Sequence, residues 1–441
     1  MPWHNLLSSQ RSGSKPGNHE PSRSAFEQDY DRIIFSHPFR RLQDKTQVHP
    51  LPEHDFVHTR LTHSLEVSSV GRSLGKKVGE VILQRYSQLA NQFTSYDFGA
   101  VVAAGSLAHD LGNPPFGHSG EEAISDFFRY NSFGKSFETQ VSAEQWQDLA
   151  NFEGNAQGFR LLTKNQFGLK LTFSTLGAFT KYPCSAFFPS RNKSKRSQKK
   201  YGFFQTELLK FEEVANATAL SKTSDYGWQR HPLAFLVEAA DDICYSIIDL
   251  EDGCRLGLVS FNETVELLSG ILGDKLNLTK LKNISGLNEQ LGILRAMAIN
   301  TLADDCTKIF LDNEQDIGSG KFDTALTDAG FFKAQLKTIG DVSVKKIYQS
   351  RAVTEIEAAG FEALPTLLEE FIRAALHITQ NNQPRKYATI ARLMPVELMQ
   401  AIQQTSNVYD MLRLVIDLVS GLTDRHALSL FKRIKGVYVA Q

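Results

Sequence analysis

Residues 96–128 read YDFGAVVAAGSLAHDLGNPPFGHSGEEAISDFF and determine how the rest of the chain is arranged. The first part has the apolar character of a buried helix, which carries His109 and Asp110 in its last turn and ends at Gly112, ahead of two prolines. Adjacent side chains on a helix point about 100° apart. His109 and Asp110 can therefore share one ion only if it lies between them and other parts of the chain supply further ligands.

A second helix is predicted directly after the prolines. Ser119 and Glu122 have the spacing of a capping box. His118 is then expected just before the N-terminus of this helix, with Glu121 in its first turn. Two histidines and three carboxylates thus surround one sharp bend, which makes the bend the candidate chemical centre.

Composition narrows the classes of protein. Of 441 residues, 41% are hydrophobic and 22% charged, which is typical of a soluble globular protein. The 48 basic and 49 acidic residues nearly cancel, so the chain as a whole does not attract nucleic acid or a membrane surface. The four cysteines lack CxxC spacing, and no apolar run approaches the ~18 residues of a membrane span. We expect a cytoplasmic protein with reduced thiols and no membrane contact.

The chain divides into three predicted regions. Residues 1–22 are rich in Ser, Gly, Pro and charge, which predicts a mobile leader. Residues 23–260 hold the polar motifs and are the predicted catalytic core. Residues 261–441 alternate amphipathic helical stretches with polar turns, which predicts a helical region that packs on the core and contributes to oligomer contacts. Because no strand alternation of useful length appears, the predicted fold class is all-α.

Two other predicted helices carry polar residues on one face. Arg60 and His63 are three residues apart and so share a face of the first helix. On the second, Asp241, Tyr245 and Asp249 follow each other at four-residue intervals and form a polar stripe on an otherwise apolar helix. Buried carboxylates need partners, and a metal, a sugar hydroxyl or an arginine would each serve. A purely structural arginine pair is the alternative.

Four of these side chains form a candidate metal site: His63, His109, Asp110 and Asp241. The neighbouring Asp242 is less suitable than Asp241 because it is turned ~100° away from the polar stripe. Two imidazoles and two carboxylates without a thiolate suit one divalent ion of Mn, Mg, Ni, Fe, Co or Zn better than a structural zinc. Such an ion can polarise a phosphoryl group and activate water.

A basic loop is predicted at residues 190–200. It contains RNKSKRSQKK, with six basic residues in ten. The sequence leaves three interpretations open: a solvated loop, a loop that lies over a polyphosphate, and a docking site for single-stranded nucleic acid.

The ordered set of His63, His109, Asp110 and Asp241 resembles the metal signature of the HD-domain phosphohydrolases. Longer blocks resemble one family among them, the deoxyguanosine triphosphate triphosphohydrolases. These blocks are RRLQDKTQV (40–48), RLTHSLEV (60–67), LAHDLGNPPFGHSGE (107–121) and EAADDICYSIIDLEDG (238–253). The similarity covers most of residues 23–260 and returns at 356–371 and 420–436.

The resemblance implies an HD-domain helical core and a reaction. Members of the family hydrolyse deoxynucleoside triphosphates, either dGTP or several dNTPs, to the deoxynucleoside and inorganic triphosphate. The four metal ligands would hold the ion against the α-phosphate, and His118 would be the catalytic histidine, positioned and charged by Glu121. A histidine beside a carboxylate at a helix entrance can exchange a proton near neutral pH, in agreement with this role.

The resemblance also implies substrate contacts. Gln47, Tyr245 and Asp249 would bind the 3′-hydroxyl, and the Tyr245 ring would fill the space that a ribose 2′-hydroxyl needs. Arg60 and Lys181 would contact phosphate oxygens. The implied partners are the dNTP substrate, a dNTP activator in some members, and further copies of the chain, with a hexamer favoured.

Two other functions stay open at this point. One is a different HD-type nucleotide phosphohydrolase, such as a nucleotidase or an alarmone hydrolase. The other is a nucleotide-sensing protein or a protein that binds single-stranded nucleic acid, for which the basic loop is the only support in the sequence.

Overall fold

The computed structural model describes residues 2–13, 22–47, 58–164, 168–380 and 384–437. Their regular structure is almost entirely helical, with one short antiparallel ribbon, so the prediction of an all-α fold is confirmed. Within the described residues, no helix combines the length and the apolar character needed to cross a membrane.

The elements follow each other along the chain with short connections. The helices before residue 256 are α1 (Trp3–Leu6), α2 (Ala25–Ile34), α3 (His37–Arg41), α4 (Arg60–Arg85), α5 (Ser95–Ala108), α6 (Gly117–Tyr130), α7 (Ser132–Lys135), α8 (Ala143–Ala150), α9 (Gly154–Thr163), α10 (Phe173–Phe179), α11 (Leu208–Ala217) and α12 (Pro232–Arg255). The strands are β1 (Lys222–Ser224) and β2 (Gly227–Trp228). The later helices are α13 (Phe261–Leu272), α14 (Leu278–Lys282), α15 (Leu287–Asp312), α16 (Glu314–Gly318), α17 (Leu326–Ala329), α18 (Lys333–Ser343), α19 (Arg351–Gln380), α20 (Arg385–Ala391), α21 (Val396–Gln403), α22 (Val408–Ser420) and α23 (Asp424–Ile434).

Helices α4 and α5 pack closely because small residues line their contact. A Cβ atom on Gly75 would lie only 2.6 Å from the carbonyl oxygen of Phe98, so no larger residue fits there. The Ser68 hydroxyl donates to the carbonyl of Ala103 across the same contact (2.9 Å). The close approach places His63 of α4 beside His109 at the end of α5, with ring centroids 5.3 Å apart.

Helix α12 packs against both α4 and α5. Pro232 occupies its first turn, and the side chain of His231 accepts a hydrogen bond from the backbone N–H of Leu233. The face predicted to be apolar is fully buried in the core. Burial of that face fixes the rotation of the helix and turns Asp241 toward the two histidines.

The C-terminal region contributes to both hydrophobic cores of the protein. The first core contains residues of α4, α5, α10 and α12 and continues without a break through buried side chains up to Ile347. The second joins residues 116–204 to buried side chains of α19 and α22. The predicted boundary at residue 260 therefore lies inside a continuous core.

The prediction of a mobile leader is wrong for residues 2–13. Trp3 is 1% exposed, and its indole Nε1 donates to Glu314 (3.0 Å). Arg11 forms an ion pair with the buried Asp29. Composition concealed this because the polar residues outnumber the few apolar ones that anchor the segment. Residues 14–21 lie outside the described residues.

Candidate active site

The four predicted metal ligands come together. One ligand atom from each of His63, His109 and Asp110 lies within 4.8 Å of the other two. Asp241 completes the group, because its Oδ1 lies 3.4 Å from Nε2 of His63 and 3.4 Å from Nε2 of His109. Three different elements, α4, α12 and the end of α5, supply these side chains.

The protonation of the histidines fits a divalent cation. Nδ1 of His109 lies 2.7 Å from the carbonyl oxygen of Ser106 and donates to it, which leaves Nε2 with a free lone pair. That Nε2 atom is buried, and so is Nδ1 of His63, and neither has a hydrogen-bond partner within the described part of the chain. Buried polar atoms are rarely left without a partner. A metal ion coordinated by the lone pair of His109 would supply one.

The carboxylate of Asp110 is held in its ionised form. Burial opposes ionisation, but Arg60 and the two nearby histidines outweigh it and lower the pKa of Asp110 below its ordinary value. Nη1 of Arg60 donates to Oδ2 of Asp110 (2.9 Å), and Nδ2 of Asn113 donates to Oδ1 (2.5 Å). The ligand is therefore both charged and fixed in orientation.

The two adjacent aspartates of α12 have different surroundings. Asp242 accepts a hydrogen bond from the Thr327 hydroxyl (2.8 Å) on the side of the helix away from the histidines. Burial raises the pKa of Asp242 to about 6. Despite burial, His109 and the other cations beside Asp241 hold the pKa of that carboxyl far below its usual range. This placement agrees with the polar stripe, which favoured Asp241.

The capping box predicted at Ser119 is wrong. The backbone at Phe116 is left-handed (φ 65°), and α6 begins at Gly117, two residues before Ser119. Asp424 accepts the backbone N–H of Phe116 (3.1 Å) and stabilises this turn. The Ser119 hydroxyl donates instead to Glu357 of α19 (2.8 Å). His118 consequently lies inside the first turn of the helix.

His118 and Glu121 form a close pair. Nδ1 of His118 lies 2.7 Å from Oε2 of Glu121, and the imidazole is 83% exposed while the carboxylate is buried. Oε1 of Glu121 accepts the backbone N–H of Gly154 (2.6 Å), and Nζ of Lys200 lies 3.6 Å from Oε2. Burial opposes ionisation of Glu121, but its bond to His118 and the charge of Lys200 lower its pKa. A fixed anion thus orients a solvent-accessible imidazole, as general acid–base chemistry requires.

These groups border one cavity of about 560 Å³, within the range of ligand-binding pockets. The predicted residues on its wall are Gln47, Arg60, His109, Asp110, His118, Lys181, Asp241 and Tyr245. The predicted residues behind the wall are His63, Glu121 and Asp249. The cavity therefore combines the candidate metal ligands with an imidazole and several cations.

The basic loop is packed against the protein rather than solvated throughout. Arg196, Lys199 and Lys200 line the cavity. The backbone N–H of Ser197 donates to Asp323 (2.8 Å), and this bond holds the loop in place. The number of basic residues gave the signal for this loop, but the sequence did not show which of them face the cavity.

Glu238 is a functional residue that sequence reasoning missed. Its carboxylate is buried one turn before Asp241 and binds three cations: Arg230 (2.7 Å), Arg196 (2.6 Å) and Lys181 (3.4 Å). Burial raises the pKa of this carboxyl, but the three cations outweigh burial and lower it to about 2. Glu238 therefore tethers two of the cations that line the cavity. Its position one turn from the polar stripe was the available signal.

The sugar contacts predicted for Asp249 differ from the structure. Asp249 is buried away from the cavity and accepts a hydrogen bond from the hydroxyl of Tyr348 (2.7 Å). Tyr348 lines the cavity, stacks on Tyr245 at 5.5 Å and ends a π-helical turn, a geometry that is frequent at functional sites. Burial raises the pKa of Asp249 to about 8. Tyr348 was missed because its segment is about 100 residues from the motif that it contacts.

Gln47 and Tyr245 are placed as predicted at the cavity. The side-chain oxygen of Gln47 is buried and has no hydrogen-bond partner among the residues described. Tyr245 keeps 41% of its surface exposed at the cavity wall. Both have polar atoms or surface available to a ligand.

Comparison with known proteins identifies the family. Residues 60–154 match the HD domain, and residues 331–433 match the phosphohydrolase-associated domain. A deoxyguanosinetriphosphate triphosphohydrolase-like protein of Synechocystis sp. is 42% identical over 99% of this chain and 100% of its own length. One of Pseudomonas aeruginosa is 38% identical over 99% of each chain. A deoxyguanosinetriphosphate triphosphohydrolase of Enterobacter sp. is 30% identical over 99% of this chain and 98% of its own. The chain is therefore a hydrolase and belongs to the deoxyguanosinetriphosphate triphosphohydrolase-like family of HD-domain proteins.

Proposed function

We propose that the protein is a metal-dependent triphosphohydrolase that converts deoxynucleoside triphosphates, dGTP or several dNTPs, to the deoxynucleoside and inorganic triphosphate. One observation carries the proposal: a single cavity joins a His–His–Asp group, an imidazole supported by a buried carboxylate, and a row of cations. The names of the relatives support the same reaction.

His63, His109, Asp110 and Asp241 would hold one divalent cation. The donor set admits Mn, Mg, Ni, Fe, Co or Zn. When bound, the ion would neutralise charge on the α-phosphate and favour attack by water at that phosphorus. Arg60, which is bonded to Asp110, is positioned to contact an oxygen of the same phosphate.

His118 is proposed to protonate the leaving O5′ atom. Glu121 accepts the Nδ1 hydrogen, so that Nε2 is the atom that gives its proton to the substrate. Gly154 and Lys200 hold Glu121 in place from the other side. Glu121 thereby fixes the ring orientation and favours the protonated imidazole.

The remaining contacts follow the charge of the cavity. Lys181, Arg196, Lys199 and Lys200 face the β- and γ-phosphates, where four cations offset the negative charge of the polyphosphate. Gln47 and Tyr245 contact the sugar. Tyr348 takes the position at the cavity wall that was expected for Asp249, which orients the Tyr348 hydroxyl from behind.

We further propose a cytoplasmic homo-oligomer, with a hexamer favoured and with activation by a second dNTP. The oligomer, the activator and the division of the chain into a catalytic core and a C-terminal region rest on the family resemblance. The four cysteines are free and buried, which suits a reducing compartment. Docking of single-stranded nucleic acid on the basic loop is a separate prediction with no further support.

The direct test is a product analysis. Purified protein is incubated with each dNTP, singly and in pairs, in the presence of Mg or Mn, and phosphate products are resolved by ³¹P NMR. The proposal predicts inorganic triphosphate and the deoxynucleoside. Mono- or diphosphate as the only phosphate product, or turnover confined to ribonucleotides, nucleoside monophosphates or ppGpp, contradicts it and favours another HD phosphohydrolase.

A further inference from the structure

A second, open cavity of about 900 Å³ adjoins the catalytic cavity. We call it the distal groove; α6, the segment 147–153 and the segment 186–201 line it. The catalytic cavity and the distal groove share His118, Lys199 and Lys200 as lining residues. The two spaces therefore meet at the cationic end of the catalytic cavity, away from its sugar end.

The distal groove has cationic groups available to an anion. The side chains of Lys193 and Lys199 take part in no ion pair or hydrogen bond among the residues that the structure describes, and both are exposed. Two other cations of the wall are already engaged: Arg191 donates to the carbonyl oxygens of Ser185 and Ala186, and Arg129 donates to Asn151. The unengaged charge thus lies along the basic loop.

The acidic residues of the distal groove are partly neutralised. Glu121 and Glu153 both lie near Nζ of Lys200, at 3.6 Å and 3.2 Å. Glu121 is also bonded to His118 (2.7 Å). The remaining carboxylate on the wall is Glu122, on the exposed side of α6. The wall nearest the catalytic cavity therefore does not repel a phosphate chain.

The position of the polyphosphate follows from the two ends of the catalytic cavity. With the α-phosphate at the His–His–Asp group and the following phosphates along Lys181 and Arg196, the last phosphate reaches Lys199 and Lys200. These lysines are shared with the distal groove, and their side chains are flexible. The chain of phosphates therefore ends at an opening rather than at a closed wall.

We propose that the distal groove receives the outer end of the substrate, so that the enzyme also cleaves deoxynucleoside 5′-polyphosphates with more than three phosphates. This rests on the proposed triphosphohydrolase function. Water adds its oxygen to the α-phosphorus, the bond from that phosphorus to O5′ breaks, and O5′ takes up a proton. The products are the deoxynucleoside and the whole inorganic polyphosphate, and no oxidant or further reactant is needed.

The test compares deoxyguanosine 5′-tetraphosphate with dGTP on the full-length protein. Steady-state kinetics give kcat/KM for each, and anion-exchange chromatography identifies the phosphate product. The groove predicts release of inorganic tetraphosphate with kcat/KM within about threefold of that for dGTP. A closed end would exclude the fourth phosphate and lower kcat/KM by about 100-fold or more.

Two charge reversals in one loop assign the effect to the distal groove. Lys193 lines the groove but not the catalytic cavity, whereas Lys195 lines neither and is equally exposed. Lys193→Glu is expected to lower kcat/KM for the tetraphosphate about fivefold and to leave dGTP hydrolysis unchanged. Lys195→Glu is the control and should change neither.

The outcomes separate the two proposals. Cleavage of dGTP to triphosphate together with failure to cleave the tetraphosphate overturns the groove and leaves the proposed function intact. Equal effects of the two charge reversals on the tetraphosphate also overturn it. Failure to release triphosphate from dGTP removes the proposed function, and the groove proposal with it.

Discussion

Replacing Glu238 by glutamine is expected to weaken phosphate binding and to lower stability at the same time. The carboxylate binds Arg196 and Lys181, which line the catalytic cavity, and Arg230, which does not. Glutamine keeps the shape of the side chain but removes the charge. The two cavity cations would lose their anchor, and the three positive charges would be left next to each other.

The size of the stability effect follows from the pKa of Glu238. Burial opposes ionisation, yet the three cations bring the pKa from an ordinary value of 4.5 down to about 2. A difference of this size corresponds to about 3 kcal/mol of unfolding free energy. Because the pKa is lower in the folded state, this contribution is complete above about pH 5 and is lost as the pH falls through about 2. The loss caused by Glu238→Gln should shrink over the same window.

The matched control is Glu251→Gln. Glu251 is buried on the same helix α12 and binds Arg255 (2.6 Å) and Arg295 (2.9 Å), but it does not line the catalytic cavity. Urea unfolding should show a loss of stability in both variants. Only Glu238→Gln should lower kcat/KM for the dNTP, by about 10- to 100-fold and mainly through KM. Equal kinetic effects in the two variants, or unchanged KM in Glu238→Gln, would refute the tethering role.

Three further changes test other parts of the structure. His118→Ala should keep its metal, measured by elemental analysis, while kcat falls by about 10²–10⁴-fold, and loss of metal would contradict its role as a proton donor. Asp241→Asn should lose more metal affinity than the about 10- to 100-fold that removal of a ligand's hydrogen-bond partner costs, whereas Asp242→Asn should retain the metal. Trp3→Ala should lower the free energy of unfolding by about 3–5 kcal/mol, and a change below about 0.5 kcal/mol would show that residues 2–13 do not stabilise the fold.

The metal group could be predicted because its determinants are local. His109 and Asp110 end an apolar helix, and Asp241 lies on a polar stripe whose helical period is visible in the sequence. Burial of the apolar face of α12 then allows only one rotation, which explains why Asp241 and not Asp242 faces the histidines. Amphipathic periodicity and packing therefore gave the same answer.

The features that were missed depend on distant segments or on unusual backbone. Tyr348 reaches Asp249 from about 100 residues away, and no local pattern announces that contact. The start of α6 depends on a left-handed Phe116 that is stabilised by Asp424, so the capping motif at Ser119 was misleading. The N-terminal segment was misjudged because composition averages over residues, while Trp3 alone supplies a large buried surface.

The central claim is attack by water on the α-phosphorus within the cavity of His63, His109, Asp110 and Asp241. The most direct measurement is hydrolysis of dGTP in ¹⁸O-labelled water with the metal-loaded protein, followed by mass spectrometry of both products. The account predicts one ¹⁸O atom in inorganic triphosphate and none in deoxyguanosine. Label in the 5′-hydroxyl of deoxyguanosine, or dGMP or dGDP as the nucleotide product, would contradict it.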